Sequence, residues 1–229
     1  RRQFIGFPIS HYRANPNFVP HLFFERRQFF DPDKNPLFDF TDVAYFLAVN
    51  GDGDTLGRVT AHINHRHNDY WDERAGCFGF FESAPRPEVA RVLMNRVETW
   101  LREREMTIVR GPFNFSTNEE CGLLVKGFDS PPAIMMPYTK RYYPGMLERL
   151  GYHKARDLLA FDYHYQGAIP EYLVRFSKRQ RERTGVTVRR LDTDNFQAEI
   201  QKALRIYNEA WQDNWGFVPM SDEQFRHMA

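Results

Sequence analysis

A tight turn between two strand-like segments constrains the fold of this chain more than any other feature. Residues 43–49 are apolar, residues 50–53 have the sequence Asn-Gly-Asp-Gly, and residues 57–64 alternate apolar and polar side chains. Alternation with a period of two is typical of a strand with one buried face, and Asn-Gly and Asp-Gly pairs adopt the positive φ of hairpin turns. The segment therefore predicts a β-hairpin.

The segments after the hairpin predict a sheet with helical connections. Strands are expected over residues 76–82, 107–113 and 154–163, where apolar residues cluster. Residues 87–105 place their apolar side chains on one helical stripe, and a short helix is expected over residues 144–151. Parallel neighbours need a helical crossover. The order β-β-β-α-β-α-β predicts an α/β (α+β) fold with a mixed, mostly antiparallel central sheet flanked by helices.

Changes of pattern divide the chain into four regions. Nine of the 21 Phe lie in the first 40 residues, so the N-terminal region is expected to wrap over the core; a ligand channel lined by the same rings is the alternative. The predicted regions are the aromatic-rich wrap (1–41), the sheet domain (42–168), a basic linker helix (169–185) and the beginning of a second, similar unit (186–229). That second unit is expected to open with a strand at 186–191 and a helix at 195–211.

The last residues carry the start of another helix. Ser221 and Gln224 have the spacing of a capping box, in which each side chain bonds to the backbone amide of the other residue. The helix would have barely two turns before Ala229, which is too short to be stable alone. We therefore expect this sequence to be part of a longer protein that continues the second unit.

Charge, cysteine content and hydropathy exclude several classes of protein. A net charge of +1 at pH 7 gives no electrostatic footprint for nucleic acid. The two cysteines, Cys77 and Cys121, cannot build a disulfide framework, which favours a reducing cytoplasm. No uncharged apolar run approaches the roughly 18 residues of a membrane span. A peripheral contact with lipid and a homodimer both stay open.

Four segments carry a resemblance to a known family. They are GRVTAHINHRHN (57–68), GCFGFFES (76–83), RGPFNFSTNEECGLLVKGFDSPPAIMMPY (110–138) and YYPGMLERLGYHKARDLLAF (142–161). These segments and the order of elements resemble the acyl-CoA N-acyltransferase (GNAT-like) proteins, and in particular a bacterial group built of two GNAT-type units in tandem. The resemblance implies that an acyl group moves from acyl-CoA, or another acyl thioester, to an amine acceptor.

One segment departs from the pattern of that family. GNAT enzymes follow a central strand with a glycine-containing loop whose amides hold the CoA pyrophosphate. Residues 82–88 have no glycine here, and Pro85 and Pro87 lack N–H donors. Glu82 and Glu88 would also repel a pyrophosphate. We therefore expect that this unit does not bind CoA in the usual way, and that the second unit is the better candidate for the phosphate loop.

A polar stretch follows the fourth predicted strand, where open α/β sheets bind their ligands. Asn114, Ser116 and Asn118 could orient an amine or an amide, and Glu119 could accept its proton. The alternative is a turn in which these side chains bond to their own backbone.

The loop after this stretch is apolar and ends in tyrosines. Met135 and Met136 could line a pocket or fill an ordinary core. Tyr142 is a candidate for substrate binding. By resemblance to GNAT enzymes, Tyr138 or Tyr143 would donate a proton to the leaving thiolate. An aromatic residue packed in the core is the alternative for each tyrosine.

Two histidines and a glutamate complete the candidate site. In a strand, His65 and His67 would share a face, where one could act as a base or pair with Glu82. Glu82 ends an otherwise apolar strand, so burial is expected to raise its pKa, and a catalytic role is predicted for it. No HExxH or CxxC pattern accompanies the histidines, and no metal is expected.

These observations support two hypotheses of function. The first is an acyltransferase, and its aromatic and methionine-rich setting favours a long-chain or lipid amine, as in bacterial ceramide formation. The second is a degenerate, non-catalytic GNAT-like domain that binds a small ligand or supports a second domain. The first hypothesis requires a sheet that opens at its middle, leaving a slot where residues 114–119 meet the tyrosines.

Overall fold

The computed structural model describes residues 1–162, 164, 167, 169–187 and 189–228. Its helices are α1 (Arg2–His11), α2 (Phe23–Phe29), α3 (His65–Trp71), α4 (Pro87–Arg102), α5 (Tyr143–Glu148), α6 (Glu171–Thr184), α7 (Phe196–Trp211) and α8 (Asp222–Met228), with a 3-10 turn at Pro36–Asp39. Its strands are β1 (Thr41–Val49), β2 (Thr55–Asn64), β3 (Ala75–Ser83) and β4 (Ile108–Arg110). The predicted fold class is confirmed: a mixed four-stranded sheet flanked by helices.

The sheet has the strand order β1-β2-β3-β4. β1 and β2 form the predicted hairpin, and β2 pairs antiparallel with β3. Asn50 holds the turn, because its Oδ1 accepts hydrogen bonds from the amides of Asp52 (3.1 Å) and Asp54 (2.7 Å). β4 lies parallel to β3 and is reached through α4, as the crossover rule requires.

The two faces of the sheet are buried in different ways. On one face, Val59, Ala61 and Ile63 pack against the apolar stripe of α4. The other face is covered by the N-terminal region, whose Phe4 and Phe30 join an aromatic cluster completed by Ile5, Leu37, Phe80 and Phe115. The polar residues that alternate with the apolar ones in β2 are therefore also buried: Arg58, Thr60, His62 and Asn64.

The strand predicted at 154–163 is wrong for the residues described. Residues 154–162 have no regular structure, and Tyr163 lies outside the described residues. Within the described part of the chain the sheet ends at β4, so no ladder partner lies beside this segment, and Leu158 and Phe161 remain 55% and 87% exposed. Likewise, residues 186–187 and 189–191 form no strand, while Val188 lies outside the described residues.

Two further boundaries differ from the sequence-based expectation. β4 stops at Arg110 rather than at 113, because Pro112 has no N–H to continue the ladder. His65 and His67 do not share a strand face, because Asn64 ends β2 and caps α3: its Oδ1 accepts from the amide of His67 at 3.0 Å.

The predicted helices near the C-terminus are confirmed. α6 ends at Gly185, which has the left-handed conformation (φ 67°), and α7 matches the helix expected at 195–211. Ser221 and Gln224 form the capping box: Ser221 Oγ accepts from the amide of Gln224 at 3.2 Å, and Gln224 Oε1 accepts from the amide of Ser221 at 3.1 Å. The assignment of this region to a second unit stays a prediction.

Candidate active site

The sheet opens between β3 and β4. The two strands pair from Ala75 to Cys77, and the amide of Phe113 still donates to the carbonyl of Phe78 at 2.8 Å. At Phe80 the backbone turns to a positive φ of 51°, beside a register shift against β2. From Phe80 onward, a side chain takes the place of the neighbouring strand as hydrogen-bond acceptor: Asn114 Oδ1 accepts from the backbone amide of Phe80 at 2.8 Å. The sequence predicts a slot where residues 114–119 meet the tyrosines; of these residues, Asn114, Glu119 and Tyr138 lie at this splayed end.

A cavity of about 480 Å³ occupies this opening. Its walls come from α1, the segment around α2, the ends of β2 and β3 and the loop before α5. Six residues predicted as site residues line it: Glu82, Asn114, Glu119, Met135, Met136 and Tyr138. Five charged or titratable residues that the sequence did not single out join them: His21, Glu25, Arg26, Arg58 and Glu120.

Glu82 is the most constrained acid of the cavity wall. Its side chain is buried, and its Oε2 accepts hydrogen bonds from the hydroxyls of Tyr143 (2.6 Å) and Tyr12 (2.8 Å). Burial raises the pKa of Glu82 to about 7, while the positive charge of Arg58 and the two hydroxyl bonds oppose the rise. A carboxyl group with a pKa near neutrality can both take up and release a proton at physiological pH.

Arg58 supplies a buried positive charge at the same wall. It faces Glu82 across the β2–β3 ladder, and its Nη1 donates to the carbonyl of Phe4 at 2.8 Å. The guanidinium lies 4.9 Å from the centroid of the Phe4 ring, a cation–π contact. Burial lowers the pKa of Arg58 to about 10, so it remains a cation at neutral pH.

Two adjacent acids on the opposite wall have contrasting environments. Burial raises the pKa of Glu119 to about 7, and the negative charge of Glu120 adds to the rise. Burial also acts to raise the pKa of Glu120, but bonds from His21, Arg26 and Asn114 outweigh it and bring that pKa below its usual value. Glu120 is therefore a fixed anion, whereas Glu119 is a second group able to exchange a proton.

The tyrosines take three different positions. Tyr143 is fully buried behind Glu82 and does not line the cavity; burial and the neighbouring Glu82 raise its pKa well above the usual value. Tyr142 donates to the carbonyl of Ser83 at 2.7 Å. Tyr138 lines the cavity, and its hydroxyl donates to the carbonyl of Phe128 at 2.9 Å. Of the three, Tyr138 alone faces the opening.

The remaining predicted residues lie outside the cavity. The amide of Asn118 donates to Ser116 Oγ at 3.2 Å, which is the turn foreseen as the alternative, and Tyr207 donates to Asn118 Oδ1. His65 is exposed beside Asp42 (3.1 Å). His67 is bonded to Glu73 at 3.2 Å, a carboxylate that also holds Arg110. Neither histidine meets Glu82.

The segment at the start of α4 does not fit a pyrophosphate. The amide of Ala84 already donates to the carbonyl of Leu56 (2.8 Å), and that of Arg86 to the carbonyl of Ala84 (2.6 Å). Pro85 and Pro87 have no N–H to offer. Because two of its residues lack an N–H and the amides of Ala84 and Arg86 are already bonded, this segment does not offer the row of free amides that holds CoA in GNAT enzymes.

The structure gives two further findings on site chemistry. Among the described residues, no group of three or more His, Cys, Asp or Glu side chains is arranged to hold a metal ion. Of the helices in the described ranges, none combines the length and the apolar character needed to cross a membrane.

Sequence reasoning missed the contribution of the N-terminal region to the site. His11 and Tyr12 end α1, and no motif marks them as site residues. Arg58 carried a usable signal: it lies among the polar residues of β2, and hairpin pairing with the third strand places it opposite Glu82. This pairing points to a site residue only once it is known that the N-terminal region buries the polar face of β2.

The architecture and site define an α/β domain with a carboxylate-walled cavity at a splayed sheet. Two curated proteins are similar to the chain over its whole length. A protein named bacterial ceramide synthase from Caulobacter vibrioides is 40% identical over 229 residues, and the protein YghO from Escherichia coli is 36% identical over 233 residues. The chain spans 59% and 58% of the length of these relatives. No protein-family model matches the chain, and no solved structure does.

Proposed function

We propose that the chain forms the acceptor half of an acyltransferase that moves an acyl group from a CoA-type thioester to the amino group of a long-chain amine. The observation that carries this proposal is the position of Glu82, a buried carboxyl with a near-neutral pKa at the wall of the cavity. The similarity to a protein named bacterial ceramide synthase supports a lipid amine as the acceptor.

Glu82 acts as the general base. An amine is protonated at neutral pH and cannot attack a carbonyl until it loses a proton. A carboxylate whose pKa is near the working pH is suited to that task. Arg58, at the same wall, is placed to attract the oxygen on which negative charge develops as the thioester carbonyl is attacked.

The balance of protons is fixed by the products. The amine nitrogen bonds to the acyl carbon as the carbon–sulfur bond breaks, and the electron pair leaves on sulfur. An ammonium group has three protons and the product amide has one. Of the two protons lost, one ends on the thiol and one goes to solvent, so Glu82 must give up a proton once in each cycle.

The mouth of the cavity suits an aliphatic chain. Ile9, Val19, Ile134, Met135 and Met136 line the cavity and are each about half exposed or more. They come from two separate segments and form two apolar lips around the entrance. Burying a methylene group contributes about 0.8 kcal/mol, so a long chain between the lips would add substantially to the affinity for the acceptor.

Because the segment at 82–88 does not fit a pyrophosphate, no step of this proposal depends on CoA contacts in this chain. A thioester reaching Glu82 would have its nucleotide end held elsewhere in the parent protein. The residues of this chain would hold the amine and the acyl carbon, and would take up the proton that leaves the amine.

The test is acyl transfer by the parent-length protein. It is incubated with acetyl-, octanoyl- or palmitoyl-CoA and with either a short primary amine or a long-chain amino alcohol, and thiol release and amide product are both measured. We expect amide formation that favours the long-chain acceptor and is lost in Glu82→Gln. An absence of thiol release and of amide with every pair would contradict the proposal.

One observation favours a second candidate, a non-catalytic domain that binds a ligand and supports the rest of the protein. The amides of Ala84 and Arg86, just before α4, are bonded within the chain, as expected of a domain with no CoA site at this place. In that case the long-chain amine would raise the melting temperature of the protein without turnover, and Glu82→Gln would leave the other half of the protein fully active.

A further inference from the structure

The proposed reaction delivers a proton to a side chain that is buried. Only 7% of Glu82 is exposed, and the face that it presents to the cavity would be covered by bound substrate. Resting on the function proposed above, we infer that Tyr143 and His11 form a proton exit that leads from Glu82 to the protein surface on a side separate from the substrate cavity.

The distances along this path are continuous. The hydroxyl of Tyr143 lies 2.6 Å from Glu82 Oε2, and His11 Nε2 lies 2.8 Å from that hydroxyl. Tyr143 is fully buried, whereas His11 is half-buried at the end of α1. Glu82 lines the cavity but Tyr143 and His11 do not, so the outer end of the path opens elsewhere.

The proton count closes along the path. Tyr143 accepts a hydrogen bond from the amide of Ser83 at 3.1 Å and donates to the ionised Glu82. Once Glu82 holds a proton, it donates to the Tyr143 oxygen, and the Tyr143 proton passes to His11 Nε2. The Nδ1 proton of His11 then goes to water. One proton leaves Glu82 and one reaches solvent, which leaves His11 as the tautomer protonated on Nε2. Exchange with water, with one proton taken up at Nδ1 and one lost from Nε2, restores the starting tautomer before the next cycle.

The other hydrogen bond of Glu82, from the hydroxyl of Tyr12, does not continue a proton path. Tyr12 also contacts the backbone carbonyl of Tyr138, at 3.4 Å, and a carbonyl oxygen has no proton to pass on. The charged groups facing the path are Arg58 from β2 and Lys140 from the loop before α5. Burial, helped by these two cations, lowers the pKa of His11 to about 4, so His11 does not retain the proton that it receives.

The test follows the proton on Glu82 directly. In the parent-length protein, the carboxyl band of Glu82 is assigned by its loss in Glu82→Gln. Its rate of appearance after a pH jump is recorded by infrared spectroscopy with the cavity filled by a long-chain alcohol, which blocks direct exchange between Glu82 and cavity water. His11→Phe keeps an aromatic ring at the contact, and His11→Gln keeps a hydrogen bond to Tyr143, but neither can relay a proton. Both should slow the band by about tenfold or more, while His153→Phe, at an exposed site, should not.

Turnover gives an independent check. His11→Gly should lose activity and recover it with added imidazole, which a merely structural role would not produce. If wild type shows no acyl transfer, the proposed function fails, but the infrared rates still decide the exit path. Unchanged band kinetics in both folded variants, His11→Phe and His11→Gln, would overturn the path whether or not the enzyme turns over.

Discussion

Arg58 and Glu82 face each other across β2 and β3, yet each side chain bonds to a different partner. The guanidinium of Arg58 donates to the carbonyl of Phe4, and the carboxyl of Glu82 accepts from Tyr12 and Tyr143. In the proposed function, this arrangement would let Arg58 hold negative charge on a substrate while Glu82 exchanges a proton. The two functions lie side by side at one wall of the cavity.

Replacing Glu82 by Gln should reduce acyl transfer by about 100-fold or more, because the amide keeps the size of the side chain but cannot accept a proton. Glu148→Gln, an exposed change at the end of α5, is the matched control and should leave the rate unchanged. Rates are measured as thiol release at saturating substrate. A Glu82→Gln variant within threefold of wild type would remove Glu82 from the chemistry.

Glu119→Gln tests the second proton-exchanging acid. If Glu119 only lines the pocket, its amide should alter the KM for the amine with little change in kcat. Glu120→Gln should instead destabilise the fold, because it weakens the bonds to Arg26 and Asn114. Steady-state kinetics and urea melts separate the two outcomes. A kcat loss for Glu119→Gln as large as that for Glu82→Gln would move the base to the opposite wall.

Glu82 should also leave a signature in the pH dependence of stability. Its folded pKa of about 7 lies above the ordinary value of 4.5, so the folded state binds the proton more tightly than the unfolded state. Its contribution is complete below pH 4.5 and is lost as the pH rises toward 7, by roughly 3 kcal/mol. Burial lowers the folded pKa of His62 to about 3, which acts in the opposite sense between pH 3 and 6.5. The difference between urea melts of wild type and Glu82→Gln isolates the glutamate, and parallel curves from pH 4.5 to 7 would contradict the assignment.

Tyr143→Phe should cost stability as well as activity. The hydroxyl bonds to Glu82, to the amide of Ser83 and to His11, so its removal leaves buried polar groups without a partner. A loss of about 1–3 kcal/mol in the free energy of unfolding is expected, with a turnover lower by about tenfold. Tyr172→Phe, on α6 and 63% exposed, serves as the control. Equal melting temperatures for the two variants would argue against the network.

The apolar lips should decide chain-length preference. Ile134→Ser and Met136→Ser should raise the KM for a long-chain amine several-fold and leave that for a short amine nearly unchanged, because the lost contacts are with the distal chain. Val92→Ser removes an equally exposed apolar side chain on α4, away from the cavity, and should have no effect. Equal effects on both amines would show that the lips do not contact the chain.

The sequence predicts the parts of this fold that local chemistry determines. The hairpin, the crossover helix and the capping box of Ser221 and Gln224 each follow from spacing within a few residues. The strand expected at 154–163 fails because apolar residues such as Leu158 say nothing about whether a partner strand lies beside them. The strand predicted through His65 and His67 is wrong because Asn64 caps α3 and so ends the strand before them.

In the site too, local sequence predicts some residues, whereas contacts between residues far apart in the chain cannot be predicted from it. The sequence predicts Glu82, Asn114, Glu119 and Tyr138 as site residues because each lies at the end of a strand or in the loops that follow, and all four line the cavity. The bonds of Glu82 to Tyr12 and Tyr143 span 70 and 61 residues, and no periodicity links such distant positions. These contacts depend on α1 lying against the open end of the sheet, which is a property of tertiary packing.

The side-chain amide of Asn114 bridges the splayed end of the sheet, because its oxygen accepts from the backbone amide of Phe80. Its other end donates to Glu120, so the spacing of the backbone is tied to the charge of one carboxylate. Acidification that neutralises Glu120, or a shortened side chain at position 114, would let the strands close or drift. Redesign of this scaffold for bulkier acceptors can therefore start at position 114, where one side chain links the backbone of β3 to Glu120.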